Sequence, residues 1–402
     1  MSLSSSSSSS STRGISEDHA SRIDGQMDRP TSRRMILPST TTSRCQKNKI
    51  FHSSIRETRS STSSKMRRKE PRSSRKSARS GLVSSIVLTT MWSSLQSTQV
   101  SGEMHRLLMI PDIHGDFDVM QEAVKFVEPI HPGKDKLIFT GDLVDRGPQP
   151  QECYRLSQKL KEQYNVTRLT GNHEWITIMG VDANAPFAQY VPREDLMSFG
   201  SWSQRMHSFG PTGELGKMIR EEFDVISLEQ IPGVPLSKTL FVHAGITHQT
   251  LRQYGSVQAV KEAGKAMLMA NNLDTPLLNE ILQTRHLAQG QPRAVCREVQ
   301  QILRTGGAER LVVGHTPTPL IGGEPGKPLI KCGGRLLLMD VAMSKWMGGG
   351  TPAALIFEAE KTGKKGTLKR IYVKIRAGEE IEVPILSTIG SRSTSEEEKE
   401  EL

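Results

Sequence analysis

The sequence predicts an α/β domain between about residues 103 and 384 of its 402 residues. The first observation is a set of short apolar runs, rich in β-branched residues, that end in Gly, Asp, Asn or His. The second is that longer stretches with helical periodicity lie between these runs. Buried strands that alternate with helices are typical of α/β folds. Ligand sites in such folds gather at the carboxyl ends of the strands, where this chain places polar residues.

The strands and the clearest helices can be assigned in chain order. The predicted strands are RLLMIPDIHGD, KLIFTGD, VTRLTGNHE, TLFVHAG, RLVVGHT, RLLLMDVA and AALIFEA. The predicted helices are DVMQEAVKFV, PQECYRLSQKLKEQY and CREVQQILRTGG. The segment 175–239 reads mainly helical, with glycine-rich breaks at FGPTGELG. We expect it to be a helical insertion that packs over the site and helps to select the substrate.

Residues 1–102 form a basic tail, rich in Ser and Arg, that we predict to be disordered, because it cannot bury enough apolar surface to offset the entropy of ordering. The tail contains 18 of the 53 Lys and Arg residues but only 6 of the 43 Asp and Glu residues. The rest of the chain, with 35 basic and 37 acidic residues, is close to neutral. The basic pI therefore describes the tail. Since the tail lacks interleaved aromatic residues, we expect no nucleic-acid partner.

Both ends of the chain carry candidate targeting sequences. Near residues 82–92, LVSSIVLTTMW follows a basic stretch, a pattern similar to a secretory signal. A transit peptide and a disordered tail are the alternatives, and the segment is too short for a stable membrane span. The acidic tail, 385–402, ends in Lys-Glu-Glu-Leu, one substitution from the retention signal Lys-Asp-Glu-Leu. The hypothesis is residence in the lumen of the endoplasmic reticulum, with another organelle or the cytoplasm as alternatives.

The cysteines predict neither a disulfide framework nor a thiolate metal site. Cys45 lies in the tail, and Cys153, Cys296 and Cys332 lie in the folded part. None has a Cys-x-x-Cys spacing, and three cysteines cannot all pair with one another. We expect them to be buried free thiols.

Polar side chains at five successive strand ends predict a metal site. A single histidine there is more often structural, but five segments with only oxygen and imidazole donors favour metal binding. This donor set suits Mn, Fe or Zn and excludes a soft thiolate site. The ligands are too many for one ion, so we predict two divalent ions, about 3.5–4 Å apart, in an arrangement suited to in-line displacement at phosphorus. The side chains are Asp112, His114, Asp142, Asp145, Arg146, Asn172, His173, Glu174, His243 and His315.

The motifs DIHGD, GDLVDRG, GNHE, VHAG and GHT, in this order, resemble the metallophosphoesterase signature. GDLVDRG and GNHE resemble the phosphoprotein phosphatases more narrowly, and ERLVVGHTPT and MDVAMSKWMGGGTPAALIFE are most similar to the bacterial-like Shewanella-like phosphatases. The resemblance covers Arg106 to Glu358. It implies a calcineurin-like β-sandwich flanked by helices, with a helical insertion. Two motifs depart from the usual pattern, Pro-Asp-x-His for Gly-Asp-x-His and His-Ala-Gly for His-Gly-Gly, and neither change removes a ligand.

The resemblance implies which motif residues bind the two ions. The first ion would be bound by Asp112 and His114, which are two residues apart and would point to the same side of an extended chain. Asp142 would bridge both ions. Asn172, His243 and His315 would complete the coordination of the second ion.

The resemblance also implies catalytic roles. A hydroxide that bridges the ions would attack phosphorus, His173 would protonate the leaving oxygen, and Asp145 would orient His173. Arg146 would hold phosphate oxygens in a bidentate grip. Arg285 is the candidate for a second phosphate-binding arginine, although the Trp found near that arginine in related sequences is missing here. Glu174 is expected to support its loop and not to be a ligand.

The leading functional hypothesis is a metal-dependent phosphatase that acts on a phosphoprotein or phosphopeptide. A hydrolase of dinucleoside polyphosphates is the alternative within the same chemistry, because such relatives share every metal ligand. A non-catalytic adaptor that binds phosphoproteins is the alternative from another class, but no ligand and no catalytic histidine is missing. The sequence has no pattern that indicates an oligomeric state or that selects among phosphoserine, phosphothreonine and phosphotyrosine.

Overall fold

The computed structural model of the chain describes residues 102–180, 186–376 and 378–386. The candidate targeting segment near 82–92 and the C-terminal Lys-Glu-Glu-Leu lie outside the described residues. Among the described helices, none is both long enough and apolar enough to cross a membrane.

The described residues form eleven strands and eleven α-helices, with short 3₁₀ turns between some of them. The strands are β1 (Glu103–Ile110), β2 (Asp135–Phe139), β3 (Val166–Arg168), β4 (Ile226–Glu229), β5 (Thr239–Val242), β6 (Arg310–Val313), β7 (Leu329–Lys331), β8 (Leu336–Leu338), β9 (Ala353–Thr362), β10 (Lys365–Ile375) and β11 (Glu379–Glu382). The helices are α1 (Phe117–Val127), α2 (Pro150–Gln163), α3 (Asn172–Ile178), α4 (Arg193–Ser198), α5 (Trp202–Phe209), α6 (Glu214–Glu222), α7 (His248–Tyr254), α8 (Val257–Met269), α9 (Pro276–Gln283), α10 (His286–Gln289) and α11 (Pro292–Gly306).

The strands form two sheets, in the orders β11-β10-β9-β1-β2-β3 and β4-β5-β6-β8-β7. Strands β1, β2 and β3 run parallel, as do β5, β6 and β8. The remaining strands, β4, β7, β9, β10 and β11, pair antiparallel with their neighbours. Every residue of β5, β6 and β8 is buried, as expected for central strands covered on both faces. The α/β prediction is confirmed, and all seven predicted strands are present.

Four strands were not predicted, and three of them lie at a sheet edge. Strands β4, β7 and β11 are edge strands of three or four residues, and β10 pairs β9 on one side and β11 on the other. Short edge strands carry little hydrophobic periodicity, because only part of each one faces the core.

The α-helices of the segment 175–239 end at Glu222. The segment contains the end of α3, a 3₁₀ turn at Pro186–Tyr190, and the helices α4, α5 and α6. Its last part differs from the prediction, because β4 pairs antiparallel with β5 and belongs to the second sheet.

Helix α1 connects the first strand end to the core. Asp116 caps its N-terminus, with the carboxylate accepting a hydrogen bond from the N–H of Val119. The other carboxylate oxygen accepts a 2.9 Å hydrogen bond from the N–H of Lys345. The same side chain therefore anchors both α1 and the loop after β8 beside the first strand end.

The expectation of free thiols is wrong for two of the three cysteines in the folded part. Cys296, in α11, and Cys332, after β7, form a disulfide. The two residues are 36 positions apart, and only the packing of α11 against the turn after β7 brings them together. Cys153 is a buried free thiol, as predicted.

Candidate metal and catalytic site

The loops after five strands converge on one site. Because β1, β2 and β3 are parallel, and β5 and β6 are parallel, their carboxyl ends meet along one edge of each sheet. The loops after these strands carry the predicted side chains, and the structure brings them together. All of those predicted as metal ligands except Asn172 are among the buried polar residues: Asp112, His114, Asp142, His243 and His315.

The loops reach the site through unusual backbone conformations. Five non-glycine residues there have positive φ: His114, Asp142, Asp145, Arg146 and His315. Each such conformation costs about 1–3 kcal/mol and persists only where the surrounding contacts over-determine it. The prediction that Asp112 and His114 share one side of an extended chain is therefore wrong, because the chain has left the strand and turned at His114.

Glycine is required where two of these loops cross. A Cβ atom on Gly115 would lie 2.6 Å from the carbonyl oxygen of Gly147, and a Cβ on Gly147 would lie 2.5 Å from the carbonyl of Gly115. Only glycine allows the first and second motifs to approach this closely.

Asp142 belongs to two groups of potential metal ligands. One group is Asp142 with His114 and His173, and the other is Asp142 with His243 and His315. Its Oδ2 lies 3.7 Å from Nε2 of His114 and 3.5 Å from Nε2 of His243. This position between two clusters is the one a bridging carboxylate requires.

Two more predicted ligands complete the second cluster. Asn172 Oδ1 lies 3.0 Å from Nε2 of His243 and 2.8 Å from Nδ1 of His315. Asp112 lies beside them, with Oδ2 accepting a 2.7 Å hydrogen bond from the N–H of His315 and Oδ1 accepting one from the Thr140 hydroxyl. Asp112 is thus close to the second cluster but is not among the side chains that the structure groups around His114.

Backbone carbonyls fix the two imidazoles of the second cluster. Nδ1 of His243 lies 2.9 Å from the carbonyl of Thr140, and Nε2 of His315 lies 3.2 Å from the carbonyl of Gln283. A proton on each of these nitrogens leaves the opposite nitrogen free to bind a metal. The ligand atoms would therefore be Nε2 of His243 and Nδ1 of His315.

The electrostatics of the site also fit divalent ions. Burial lowers the pKa of His243 to about 3, that of His315 to about 2, and that of His114 well below its usual value, so these imidazoles are neutral, as metal binding requires. Burial raises the pKa of Asp112 and of Asp142, and the proximity of Asp112 raises the pKa of Asp142 further. Two buried carboxylates among neutral imidazoles need nearby positive charge, which two metal ions would supply. Nδ1 of His114 is buried with no hydrogen-bond partner in the part of the chain described.

His173, a member of the first group, forms a hydrogen-bonded pair with Asp145 that is suited to proton donation. Nδ1 of His173 is 2.7 Å from Oδ2 of Asp145, so Nε2 is the nitrogen left for other contacts. The other oxygen of Asp145 accepts a 2.6 Å hydrogen bond from Arg205, which the sequence analysis did not predict. Arg205 lies in α5, 60 residues from Asp145 along the chain, and no motif marks it.

The two predicted phosphate-binding arginines both lie at the site. The guanidinium of Arg146 stacks on the ring of Tyr190 at 4.1 Å, and its backbone N–H donates to the Tyr190 carbonyl. Arg285 donates hydrogen bonds from Nη1 to the carbonyl of His315 and to the hydroxyl of Thr316. Arg285 therefore packs against a ligand-bearing loop and is not an isolated surface residue. Its role in binding phosphate stays a prediction.

Asp340 is a buried carboxylate near the site that the sequence analysis did not predict. It follows β8, and one of its oxygens accepts a hydrogen bond from the N–H of Ala342. The other oxygen has no partner within the described ranges. Burial raises the pKa of Asp340 to about 6.

Glu174 supports the loops after β2 and β3 through hydrogen bonds, as predicted. Its carboxylate accepts hydrogen bonds from the backbone N–H groups of Asp142, Leu143 and Gly171 and from the hydroxyl of Tyr154. All of its acceptor capacity is directed at these loops, which leaves it unavailable as a ligand.

The fold and the site define a class of protein. The calcineurin-like phosphoesterase family matches residues 105–319, more than half of the chain. The chain belongs to this family of metallophosphoesterases, which are hydrolases. The family and the two ligand groups together imply divalent metal ions as cofactors.

Three individual proteins of known sequence are similar to this chain. The chain is 26% identical over 276 residues to Shewanella-like protein phosphatase 1 of Plasmodium berghei, covering 61% of this chain and 69% of that protein. It is 29% identical over 266 residues to a protein of Schizosaccharomyces pombe named Uncharacterized protein C1840.07c, covering 60% of this chain and 74% of that protein. A symmetrical bis(5'-nucleosyl)-tetraphosphatase of Actinobacillus pleuropneumoniae is 37% identical over 100 residues, which is 23% of this chain and 36% of that protein.

Among solved structures, the cold-active protein-tyrosine phosphatase of a psychrophilic Shewanella species is similar in fold. The TM-score is 0.51 at 19% sequence identity, over 70% of this chain and 81% of that one. At this identity the similarity concerns the fold alone. The resemblance to the Shewanella-like phosphatases that the motifs predicted is confirmed by the sequence similarity to Shewanella-like protein phosphatase 1.

Proposed function

We propose that this protein is a metal-dependent phosphatase that hydrolyses phosphomonoesters on phosphoproteins. The observation that carries the proposal is that the His173–Asp145 hydrogen bond lies at two groups of potential ligands that share Asp142, the first of which includes His173. Hydrolysis of a phosphomonoester needs charge neutralisation at phosphorus and a proton for the leaving oxygen, and these two parts of the site supply them.

The proposed ligands of the two ions are the six side chains predicted from the motifs. Bound divalent ions would supply an activated water and stabilise the charge that develops on the phosphoryl oxygens. The donors suit manganese, iron or zinc. The ligands are Asp112, His114, Asp142, Asn172, His243 and His315.

The protein's own residues would complete the reaction. As a water oxygen bonds to phosphorus, the bond from phosphorus to the leaving oxygen breaks, and His173 gives its Nε2 proton to that oxygen. Asp145 stabilises the positive imidazole that exists before this transfer. Arg146 would hold phosphoryl oxygens through its guanidinium, whose direction is set by the ring of Tyr190. Arg285 would contact the phosphate from the opposite loop, beside His315.

A protein substrate is supported by the longer of the named similarities. The similarity to Shewanella-like protein phosphatase 1 covers 61% of this chain, whereas that to the bis(5'-nucleosyl)-tetraphosphatase covers 23%. The shorter match still supports a second candidate, hydrolysis of dinucleoside polyphosphates, by the same metal chemistry. An adaptor without activity is disfavoured, because both the predicted ligands and the His173–Asp145 pair are present.

The test uses the purified full chain with its metal content measured by mass spectrometry. It would be incubated with peptides that carry phosphoserine, phosphothreonine or phosphotyrosine, and separately with diadenosine tetraphosphate. We expect release of inorganic phosphate from at least one peptide. Cleavage of diadenosine tetraphosphate with no release from any peptide would replace the proposal with the second candidate. Binding of phosphopeptides without release from any substrate would favour the adaptor.

A further inference from the structure

We infer that Arg205 is a positioning residue for proton donation, acting on His173 through Asp145, so that the helical segment 193–209 is part of the proton-donating apparatus. The inference rests on the proposed function, in which His173 protonates the leaving oxygen. Neither the motifs nor the family resemblance identifies Arg205.

The contacts of Asp145 carry the inference. Its Oδ2 is bound to Nδ1 of His173 at 2.7 Å, and its Oδ1 accepts a 2.6 Å hydrogen bond from Nη2 of Arg205. With one oxygen fixed by each partner, the carboxylate plane cannot rotate away from the imidazole. Arg205 therefore fixes the direction in which Nε2 of His173 points.

A second carboxylate holds Arg205 in place. Asp195, which is fully buried in α4, accepts hydrogen bonds from both Nε and Nη2 of Arg205, the shortest at 3.1 Å. The guanidinium also lies 5.1 Å from the ring of Phe209 and 5.8 Å from that of Phe199. Arg205 is 4% exposed, so its bonds to the two carboxylates are little weakened by solvent. A planar guanidinium can bind two carboxylates at fixed angles, which a lysine ammonium cannot do.

Little space for water remains beside Arg205 at Asp145. The cavity lined by Asp145, Trp202 and Arg205 measures about 10 Å³, which is at the lower limit for a single water molecule. The strained backbone at Asp145 is also held by the residues just before α4, because the N–H of Arg146 donates a 2.8 Å hydrogen bond to the carbonyl of Tyr190. The residues that precede and form α4 and α5 thus hold both Asp145 and Arg146.

The inference predicts a dependence on the leaving group. An alkyl or phenyl leaving oxygen is strongly basic and needs a proton as the bond to phosphorus breaks, whereas 2,4-dinitrophenolate leaves without one. Loss of Arg205 would misalign His173 without removing a metal ligand. Substrates that need the proton should therefore slow more than substrates that do not.

The test compares the parent with Arg205→Met on phenyl phosphate and on 2,4-dinitrophenyl phosphate, with the metal content of each protein measured. We expect kcat for phenyl phosphate to fall about ten- to hundredfold, with kcat for 2,4-dinitrophenyl phosphate, KM and metal content changed less than about threefold. In the Asp145→Asn background, adding Arg205→Met should cost little more, because the two residues act as a unit. An equal loss on both substrates, or no loss, would overturn the inference.

Two further variants guard against a general structural effect. Arg220→Met is the matched control, because Arg220 is a buried arginine of the same insertion that binds backbone carbonyls and Asn271 instead of Asp145. It should not change the ratio of the two rates. If Arg205→Met does not fold, the same comparison is made with Arg205→Lys, which keeps the charge but cannot bind both carboxylates. An unchanged ratio of the rates on the two aryl phosphates would again overturn the inference. A parent that hydrolyses neither aryl phosphate nor any phosphopeptide would instead contradict the proposed function.

Discussion

The backbone N–H of Asp142 donates a 2.7 Å hydrogen bond to Oε2 of Glu174, a buried carboxylate. The residue that both groups of potential ligands share is therefore held directly by Glu174. The same carboxylate accepts three further hydrogen bonds, two of them from backbone N–H groups. Glu174 is fully buried, and burial raises its pKa, although these hydrogen bonds oppose that effect. This one side chain therefore joins the loops after β2 and β3 into a rigid support for the site.

Glu174→Ala should destabilise the protein. The substitution would leave the N–H groups of Asp142, Leu143 and Gly171 without their acceptor, at a cost of about 1–3 kcal/mol each. We expect the free energy of unfolding to fall by about 3–5 kcal/mol, measured by denaturant titration. Tyr154→Phe is the matched control, since it removes only the hydroxyl donor, and it should cost less. A loss no larger than that of the control would contradict the supporting role of Glu174.

His173→Ala should reduce turnover without removing metal. Loss of a general acid costs about 10²–10⁴ in rate, and the six proposed metal ligands, which do not include His173, all remain. The measurement is kcat for a phosphopeptide together with metal content. His207→Ala, at an exposed histidine of α5, should behave like the parent. If His173→Ala turned over the phosphopeptide as fast as the parent, the assigned role would be wrong.

Asp142→Asn should abolish binding of both ions, because Asp142 is the one side chain that the two ligand groups share. Metal analysis after purification is expected to find neither ion, and the loss of the ions should also remove their stabilisation of the folded state. Asp118→Asn, at an exposed carboxylate of α1, is the control and should keep both. A variant that retains one ion would show that Asp142 does not bridge the two positions.

Cys296→Ser should lower the free energy of unfolding under non-reducing conditions. The disulfide to Cys332 closes a loop with a sequence separation of 36 residues, for which a loss of about 2–4 kcal/mol is expected. Dithiothreitol should destabilise the parent to a similar extent and leave the variant unchanged. Thiol titration of the unreduced, denatured parent that found Cys296 and Cys332 both free would contradict the bond. A disulfide persists in an oxidising compartment, such as the lumen of the endoplasmic reticulum.

The central strands and most of the site could be predicted from the sequence. Strands β1, β5 and β6 end in continuous apolar runs that lead into ligand-type residues, and both signals are local. The side chains at His114, Asp142 and His243 could be chosen because metal chemistry restricts the types of residue a site can use. Their order along the chain was then enough to indicate the family.

The sequence by itself determined the α/β class, the candidate ligands and the pairing of His173 with Asp145, because these depend on local runs and short motifs. Only the tertiary structure decided the partners that lie far apart in the chain. Arg205 reaches Asp145 across 60 residues, and Cys296 reaches Cys332 across 36. It also decided the backbone at His114, where a positive φ replaces the extended chain. In each case the observed arrangement is stabilised by contacts between separate elements, and no local sequence pattern indicates those contacts.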